Sequence, residues 1–332
     1  MRRKLPLEPI FKPIILLLTD VKRWPRLAGV VKRFLFKRFK ILVYEKERPV
    51  ILHAAYEDGG EVIVKLDYDG YRLTCHFEGL LDVADAIKKL KRYRKRVGSV
   101  CLSDCILNAA SLHAFASFSN LTCVTLANCS LDHPALDLMK NRCVAELYFE
   151  GGNIPETAIA EWLVNLDELR LLQFTNVKDF RGNCFSAFAT RKQMGRPSAL
   201  SDVWITSCVN FQQENLAHLQ ACDQFDSLHI SKISLTNEVF AEIAKIENIR
   251  HIALFETYVS GGLENLVNLP NLRNVSLNRT GIQSLDKLMP LVDIAAERAM
   301  TIDCDTLSDE EQENLREKMY EQYQKRKGRL SG

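Results

Sequence analysis

The 332-residue sequence predicts an α/β solenoid, a fold class indicated by three observations. First, one pattern of eleven residues, with apolar residues at places one, four, six and eleven, recurs along the chain; LRNVSLNRTGI at 272–282 is an example. Second, its copies begin 23 to 31 residues apart, which is typical of units that stack because none can bury its apolar face alone. Third, stretches with apolar residues at helical spacing lie between several copies.

Eight clear copies of the pattern begin at residues 97, 121, 144, 169, 200, 225, 249 and 272, and a weaker copy begins at 299. They resemble the leucine-rich repeat, whose consensus LxxLxLxxN/C/TxL they match, mostly with a length of 23–25 residues and with Cys or Thr at place nine in five copies. The resemblance covers roughly residues 97–300. It implies a curved, horseshoe-shaped solenoid with a parallel sheet on its concave side and helices or turns on its convex side. It also implies a binding role more often than catalysis.

Alternation along each predicted strand assigns the side chains to two faces. Places four and six point into the core, as Val124 and Leu126 do in the second copy, whereas places three, five and seven face the open concave surface. Place nine needs a small group that bonds to the backbone where the chain turns. The residues that suit this place are Cys105, Cys129, Cys208, Thr257 and Thr280.

The first 44 residues form a strongly basic arm. Residues 1–40 contain twelve Lys or Arg against Glu8 and Asp20, a net charge of +10, so the other 292 residues carry −8 of the total of +2. Helical phasing between residues 21 and 40 places Trp24 and other apolar residues on one side and basic residues on the other. Such a helix suits an anionic membrane surface. It equally suits packing on the end of the solenoid, and a mitochondrial-type transit peptide is a third reading, which the absence of serine disfavours.

Residues 45–96 are predicted to form an N-terminal cap that covers the first strand of the solenoid. Two alternating segments flank Asp69-Gly70, a strong signal for a two-residue β-hairpin, and residues 50–56 suit a third strand. A helix is predicted over residues 79–96, with seven basic residues near its carboxyl end, where the helix dipole favours cations. Without this cap the first strand would be an open, aggregation-prone edge.

The solenoid itself spans residues 97–298. Its convex side contains predicted helices at 157–166 and 237–246, the second of them capped by Asn237. The fourth copy is longer than its neighbours because of residues 189–200, which should emerge as a loop on the strand-entry edge. This loop is either a tolerated insertion, which we favour, or a partner-binding element.

Residues 299–332 are predicted to close the other end with a last strand and a capping helix. Ser308 and Glu311 form a capping box at the start of this helix. Leu315, Met319 and Tyr323 form one apolar stripe along it.

Composition excludes several classes of protein. No apolar run approaches the roughly 20 residues of a membrane span, and PIILLL at 13–18 lacks a clear secretory cleavage site. The ten cysteines form no CxxC pair, and several occupy inward or turn places. This arrangement favours reduced thiols over zinc or disulfides, and it favours a cytoplasmic location.

The sequence also argues against catalysis. It has no GxxxxGK[ST], HExxH, GxSxG or GxGxxG motif. Cys101 faces the concave surface beside Asp104, but a nucleophile needs a neighbouring base, and no histidine occupies an outward place in the first three copies. We therefore expect no enzyme activity, no metal and no cofactor.

The concave surface contains the candidate binding site. Its 27 outward places include no Lys or Arg, although 44 of the 332 residues are basic. Large side chains gather in copies three to seven, and Trp204 and His229 share place five on adjacent strands, where side chains stand about 5 Å apart. The candidate partner-binding residues are Glu146, Tyr148, Glu150, Leu171, Asp202, Trp204, His229, His251 and Phe255.

These features predict a non-enzymatic scaffold that binds a protein or peptide, cationic or neutral and with apolar character, through the concave surface. Peripheral association with an anionic membrane through residues 1–40 is a second prediction. In place of a partner, a terminal segment of the same chain could cover the concave surface. An enzyme regulator, or a nucleic-acid-associated protein that uses the basic N-terminal segments, would also be compatible with the sequence. Nucleic acid is disfavoured because phosphate binding needs cations, which the concave places lack.

Overall fold

One twelve-stranded sheet organises the residues that the computed structural model describes, which are 50–55, 59–66, 72–131, 143–259 and 261–330. Its neighbouring strands follow one another in chain order. The strands are β1 (Val50–Ala55), β2 (Glu61–Leu66), β3 (Leu73–Glu78), β4 (Val97–Ser103), β6 (Cys123–Ala127), β8 (Glu146–Glu150), β9 (Leu171–Thr175), β10 (Asp202–Thr206), β11 (Ser227–Ser231), β12 (His251–Phe255), β13 (Asn274–Asn278) and β14 (Thr301–Asp303), while β5 (Ile106–Leu107) and β7 (Ser130–Leu131) form a separate pair.

From β3 onwards the strands of the large sheet are parallel, and from β4 onwards they are in register. Between β6 and β8, for example, Val124 lies beside Leu147 and Leu126 lies beside Phe149. Every residue at places four and six of the eight clear copies is at most 2% exposed. The inward places therefore form one continuous core along the sheet, which confirms the predicted alternation.

Helices pack on the other side of this core. Neighbouring helices need about 8–10 Å and strands about 4.8 Å, so the stack curves with the sheet on the inside. The fold is the predicted leucine-rich-repeat type of solenoid, and the surface made of places three, five and seven is termed the concave face. The α-helices are α1 (Val83–Lys89), α2 (Ala109–Phe115), α3 (Glu156–Asn165), α4 (Ser186–Gln193), α5 (Asn237–Ile243), α6 (Met289–Arg298) and α7 (Asp309–Leu330), and 3₁₀ helices span Asn183–Phe185, Gln213–Ala221, Leu263–Asn268 and Leu285–Leu288.

A left-handed residue ends the strand in each of the eight clear copies, always at place eight. Its amide donates to the next repeat, as Ser207 does to the carbonyl of Ser231 at 2.9 Å and Lys232 to that of Phe255 at 3.0 Å. The last of them, Arg279, donates instead to the side chain of Asp305. The eight residues, with φ between 49° and 60°, are Asp104, Asn128, Gly151, Asn176, Ser207, Lys232, Glu256 and Arg279.

Place nine has the role that the sequence predicts. The thiol of Cys129 lies 3.5 Å from the carbonyl of Leu102 in the preceding repeat. The hydroxyl of Thr257 donates to the carbonyl of Ile230 at 3.3 Å, also in the preceding repeat. Both side chains are buried, so each one satisfies a buried backbone acceptor where the chain turns.

The N-terminal cap begins with an antiparallel sheet, in which β1 pairs with β2 and β2 pairs with β3. Pairing of Glu61 with Glu78 and of Leu66 with Leu73 confirms the predicted hairpin. β3 then joins the solenoid by parallel pairing with β4. The antiparallel strands therefore cover the edge that β4 would otherwise expose.

The helix predicted over residues 79–96 is present as α1, but it is shorter than predicted. The helix ends at Lys89, and tight turns follow, in which the amide of Tyr93 donates to the carbonyl of Leu90 at 2.7 Å. The carbonyl of Arg96 accepts from the amide of Leu73 at 2.8 Å, directly before β4. Entry into the sheet therefore competes with further helix growth here, which residue spacing alone does not reveal.

The two helices predicted on the convex side are present as α3 and α5. Asn237 does not cap α5, contrary to the prediction, because it is the first residue of the helix itself. Thr236 occupies the capping position, and its side chain makes no capping hydrogen bond.

α7 closes the C-terminal end. Its capping box is confirmed, because the amide of Glu311 donates to Ser308 Oγ and the amide of Ser308 donates to the Glu311 carboxylate, both at 3.3 Å. Leu315 is buried and Met319 packs against the core. Tyr323 is 51% exposed, so the apolar stripe ends one turn earlier than predicted.

In the long fourth repeat, residues 186–193 form α4, and residues 194–201 form a partly exposed connection that leads into β10 and is held by contacts with the helices. Arg191 on α4 is 1% exposed, and its guanidinium donates to the carbonyls of Val164 at 2.9 Å and Pro197 at 2.7 Å. Arg191 and Arg196 both donate to the Asp167 carboxylate, at 3.1 and 2.6 Å. A buried cation thus holds the extra residues in place, and β9 and β10 keep full register.

Two predictions fall on residues outside the described ranges. One is the basic arm at residues 1–44, and the other is the hairpin turn at Asp69-Gly70. Within the described ranges, no helix combines the length and the apolarity needed to cross a membrane.

Candidate functional site

The nine candidate residues lie on five neighbouring strands, β8 to β12, and none of their side chains is buried. Of the 27 outward places, all within the described ranges, Ser227 alone is buried. The register sets the neighbours of each side chain. Place three reads Glu146, Leu171, Asp202, Ser227 and His251; place five reads Tyr148, Gln173, Trp204, His229 and Ala253; and place seven reads Glu150, Thr175, Thr206, Ser231 and Phe255.

A stacked pair of aromatic rings occupies the middle of this surface. The ring centroids of Trp204 and His229 are 4.3 Å apart, and the ring planes are inclined by 28°. The indole of Trp204 is 39% exposed although its strand is central in the sheet. A large exposed aromatic ring, held by stacking on its neighbour, is a preformed anchor for a partner.

His229 is uncharged near pH 7 because burial lowers its pKa from the ordinary value of 6.5. The charge of His251 lowers this pKa further, while the Asp202 carboxylate opposes both effects. Asp202 is positioned by Ser201, whose hydroxyl donates to it at 2.5 Å. The centre of the concave face therefore offers a neutral aromatic pair beside one carboxylate.

A second, more polar part of the site surrounds Tyr148. Its hydroxyl donates to the Glu146 carboxylate at 3.0 Å. Burial raises the pKa of the Tyr148 phenol, and this hydrogen bond raises it by a smaller amount. A shallow depression of about 350 Å³ adjoins the ring, with Glu150 and Gln173 in its lining. Gln173 separates this part from Trp204, so the predicted patch consists of two neighbouring parts.

Phe255 is partly covered by a basic side chain from the next repeat, which residue spacing did not predict. The guanidinium of Arg279 lies 5.3 Å from the centroid of the Phe255 ring. Arg279 also pairs with Glu256 at 2.6 Å, and Lys232 pairs with Glu256 at 3.5 Å. These three charged residues occupy place eight, and only places three, five and seven were assigned to the concave face. The edge of that face therefore does carry cations, although its 27 outward places do not.

His251 marks the opposite, strand-entry edge. Its Nε2 lies 3.6 Å from Asp226, a carboxylate that also pairs with Arg250 at 3.5 Å. His251 therefore lies beside an existing ion pair at the rim. This arrangement makes His251 a boundary residue of the site, distinct from the exposed ring of Trp204.

A histidine that the repeat pattern did not reveal lies beside Cys101. His76 comes from the cap, and parallel pairing of β3 with β4 places it directly next to Cys101. Burial raises the pKa of the Cys101 thiol, whereas a nucleophilic cysteine needs a lowered one. Among the described residues, no cluster of His, Cys, Asp and Glu has the composition of a metal site. The arrangement therefore favours binding over thiol chemistry.

The fold and the site together define a solenoid that presents an exposed aromatic and acidic sheet surface. No protein-family model matches the sequence, and a search among curated proteins found no match. Among solved structures, an internalin from Listeria monocytogenes aligns over 74% of this chain and 85% of its own, with 14% sequence identity and a TM-score of 0.34. The Toll–Spatzle complex from Drosophila aligns over 70% of this chain and 35% of its own, with 13% identity and a TM-score of 0.41. Likeness at this level carries no argument about function, which rests on the site.

Proposed function

We propose that this protein is a non-enzymatic scaffold that binds another protein or a peptide across strands β8 to β12. The observation that carries the proposal is the exposed Trp204–His229 stack beside Asp202, on a face whose 27 outward places contain five acids and no Lys or Arg. The bound segment is cationic or neutral and has apolar side chains. Aromatic side chains that become buried against a partner supply most of the free energy of binding in protein interfaces.

The charges around the stack set the preference for a cation. A Lys or Arg of the partner would lie over the exposed indole face, which attracts cations through its ring quadrupole. Asp202 is adjacent, and Glu146 and Glu150 lie two strands away. The same interaction exists within the chain where Arg279 covers Phe255, so a partner gains most at Trp204 and less at Phe255.

Selection from a peptide library tests this function. A display library of random 12-residue peptides would be panned against the unmodified protein, Trp204→Ala and Asn278→Ala. Asn278 is the matched control because it also lies on the concave face, but its amide already donates to Ser276 at 3.0 Å. We expect peptides rich in Lys or Arg and apolar residues, bound equally by Asn278→Ala and weakened about 30-fold or more by Trp204→Ala. Equal binding to Trp204→Ala would move the binding site elsewhere.

We place the protein in the cytoplasm, because three of its ten cysteines, Cys105, Cys129 and Cys208, serve as buried thiols at the turns. Association with an anionic membrane surface is a second candidate function. It rests on the net charge of +10 within residues 1–40.

A further inference from the structure

A groove with an apolar floor lies on the convex side, between α1 and α2. Its volume is about 550 Å³, and Ala84, Ile87 and Ala114 line it from below. Ala110 adds a small, exposed side chain to the wall. Because these residues are apolar and mostly alanine, the backbone of a third helix can approach α1 and α2 closely.

Positive charge surrounds this groove. Lys88, Lys91 and Arg94 are exposed on its rim, and His113 stands on the α2 side. Residues 83–117 contain seven Lys or Arg and only two Asp. One of these, Asp85, pairs with Lys89 at 2.9 Å. In the described part of the chain no carboxylate pairs with Lys88, Lys91 or Arg94.

We infer that this groove binds an acidic amphipathic helix of another protein. The apolar floor suits residues at positions i, i+3, i+4 and i+7 of such a helix, which is a common mode of peptide recognition. The rim suits Glu or Asp on both sides of that stripe. The basic arm of this chain is excluded as the occupant by its own net charge of +10. A nucleic acid would use the cations but would leave the apolar floor uncovered.

The inference is independent of the concave site. The groove lies on the helical side of the solenoid, and its charge preference is opposite to that of the concave face. The chain would therefore join two partners, a cationic one inside the curve and an acidic one outside it.

A synthetic probe tests the groove directly. The probe is a fluorescein-labelled 18-residue helix with Leu at the i, i+3, i+4 and i+7 positions and Glu at the flanking ones, and fluorescence anisotropy measures its binding to the full chain. We expect Lys88→Glu with Lys91→Glu to weaken binding about tenfold or more through charge reversal. Ala110→Trp should weaken it similarly, because it fills the groove from an exposed position.

Two control variants separate the groove from the rest of the molecule. Lys178→Glu with Lys287→Glu changes the total charge equally at exposed sites elsewhere, and it should leave binding within about twofold of the unmodified chain. Trp204→Ala should not change binding either, so failure of the proposed concave site would not affect this result. Circular dichroism identifies any variant that has unfolded.

Three further probes decide the chemistry of the occupant. A peptide with Gln for Glu tests the need for charge, and a peptide of scrambled Leu positions tests the need for an apolar stripe. A 20-nucleotide oligouridylate tests for a nucleic acid. Weaker binding of all three supports the inference. Equal binding of the scrambled peptide, or tighter binding of the oligouridylate, would overturn it in favour of a general polyanion surface.

Discussion

Leu126 and Thr125 are neighbours in the chain, but their side chains lie on opposite faces of β6. Leu126 is 2% exposed in the core, and Thr125 is half-buried on the concave face. We expect Leu126→Ala to lower the free energy of unfolding by about 2–5 kcal/mol, because it leaves a cavity between repeats. Thr125→Ala should change it by about 0.5 kcal/mol or less. Urea denaturation of the two variants measures both values, and equally mild effects would contradict the assigned register.

His229 makes stability depend on pH. Its pKa is lowered in the folded state by burial and by His251, so the unfolded chain takes up this proton more readily. Stability from this residue is therefore complete above about pH 6.5 and is lost as pH falls through the lowered folded pKa. We expect the unmodified protein to lose more stability than His229→Gln between about pH 7.5 and 5.5. If the free energy of unfolding, measured in urea, changes equally with pH in both proteins, His229 is not the source of the pH dependence.

Individual residues were predictable wherever one local rule determined them. Cys129 and Thr257 at place nine followed from the need for a small group that bonds to backbone at a turn. Arg279 did not, because its side chain reaches Phe255 from place eight, on a different repeat. His76 beside Cys101 was also missed, because the partner strand comes from outside the repeat pattern. Contacts that occur only once along the chain leave no periodic signal in the sequence.

The turn at place eight is the element on which every repeat depends. A left-handed conformation costs free energy for residues other than glycine, most of all for β-branched ones. We expect Ser207→Val to destabilise the protein by about 1–3 kcal/mol, while Ser207→Gly should change stability by less than about 1 kcal/mol. Ser231→Val is the matched control in an extended strand, where valine is favourable. Thermal or urea unfolding of the three variants checks this order.

The segment after α4 depends on a single side chain, Arg191. Its buried guanidinium satisfies the carbonyls of Val164 and Pro197 and pairs with Asp167. We expect Arg191→Met to cost about 1–3 kcal/mol, because the buried carbonyls of Leu163 and Leu166 lose their donor, while Asp167 keeps its pair with Arg196. Lys192→Met, which removes an exposed ion pair with Asp223, should cost about 0–1 kcal/mol. Similar costs for the two variants would show that the segment is held by other contacts.

Helices and strands were predictable to different degrees. Strand positions followed from a pattern that repeats eight times, so an error in one copy would have been visible against the others. α1 is a single instance, and residue spacing did not reveal the tight turns that follow Lys89 and lead to the bond between Leu73 and Arg96. Tyr323 was assigned to the capping stripe for the same reason, although the core beneath α7 ends at Met319.

At the scale of the whole molecule, the charge of the basic arm leads to a separate prediction about membrane binding. The net charge of +10 in residues 1–40 and the Trp24-bearing apolar side should confer binding to phosphatidylserine vesicles, with on the order of 1 kcal/mol for each basic residue near the surface. Co-sedimentation of the full chain and of a variant that lacks residues 1–40 measures this, at low and at high salt. We expect the full chain to sediment at low salt and much less at high salt. Equal sedimentation of both proteins would exclude a membrane role for the arm.

The fold as a whole was predictable because it is periodic, and the site was predictable only in outline. Places three, five and seven identified which side chains face outward, including Trp204 and His229. The sequence did not predict that Gln173 divides this surface or that Arg279 covers Phe255. Both features depend on how side chains of neighbouring strands lie against one another. The groove between α1 and α2 left no motif, because its floor consists of ordinary alanines.

The unchanged register on either side of the long fourth repeat has a consequence for how such a chain changes during evolution. That repeat has 31 residues where its neighbours have about 25, yet β9 and β10 pair residue for residue. The extra residues are shared between the helical segment and the connections on either side of it, outside the paired strands. Descendants of this gene can therefore gain or lose short stretches on the outer rim freely, or whole repeats at once, while an insertion of one residue within a strand would be eliminated by selection.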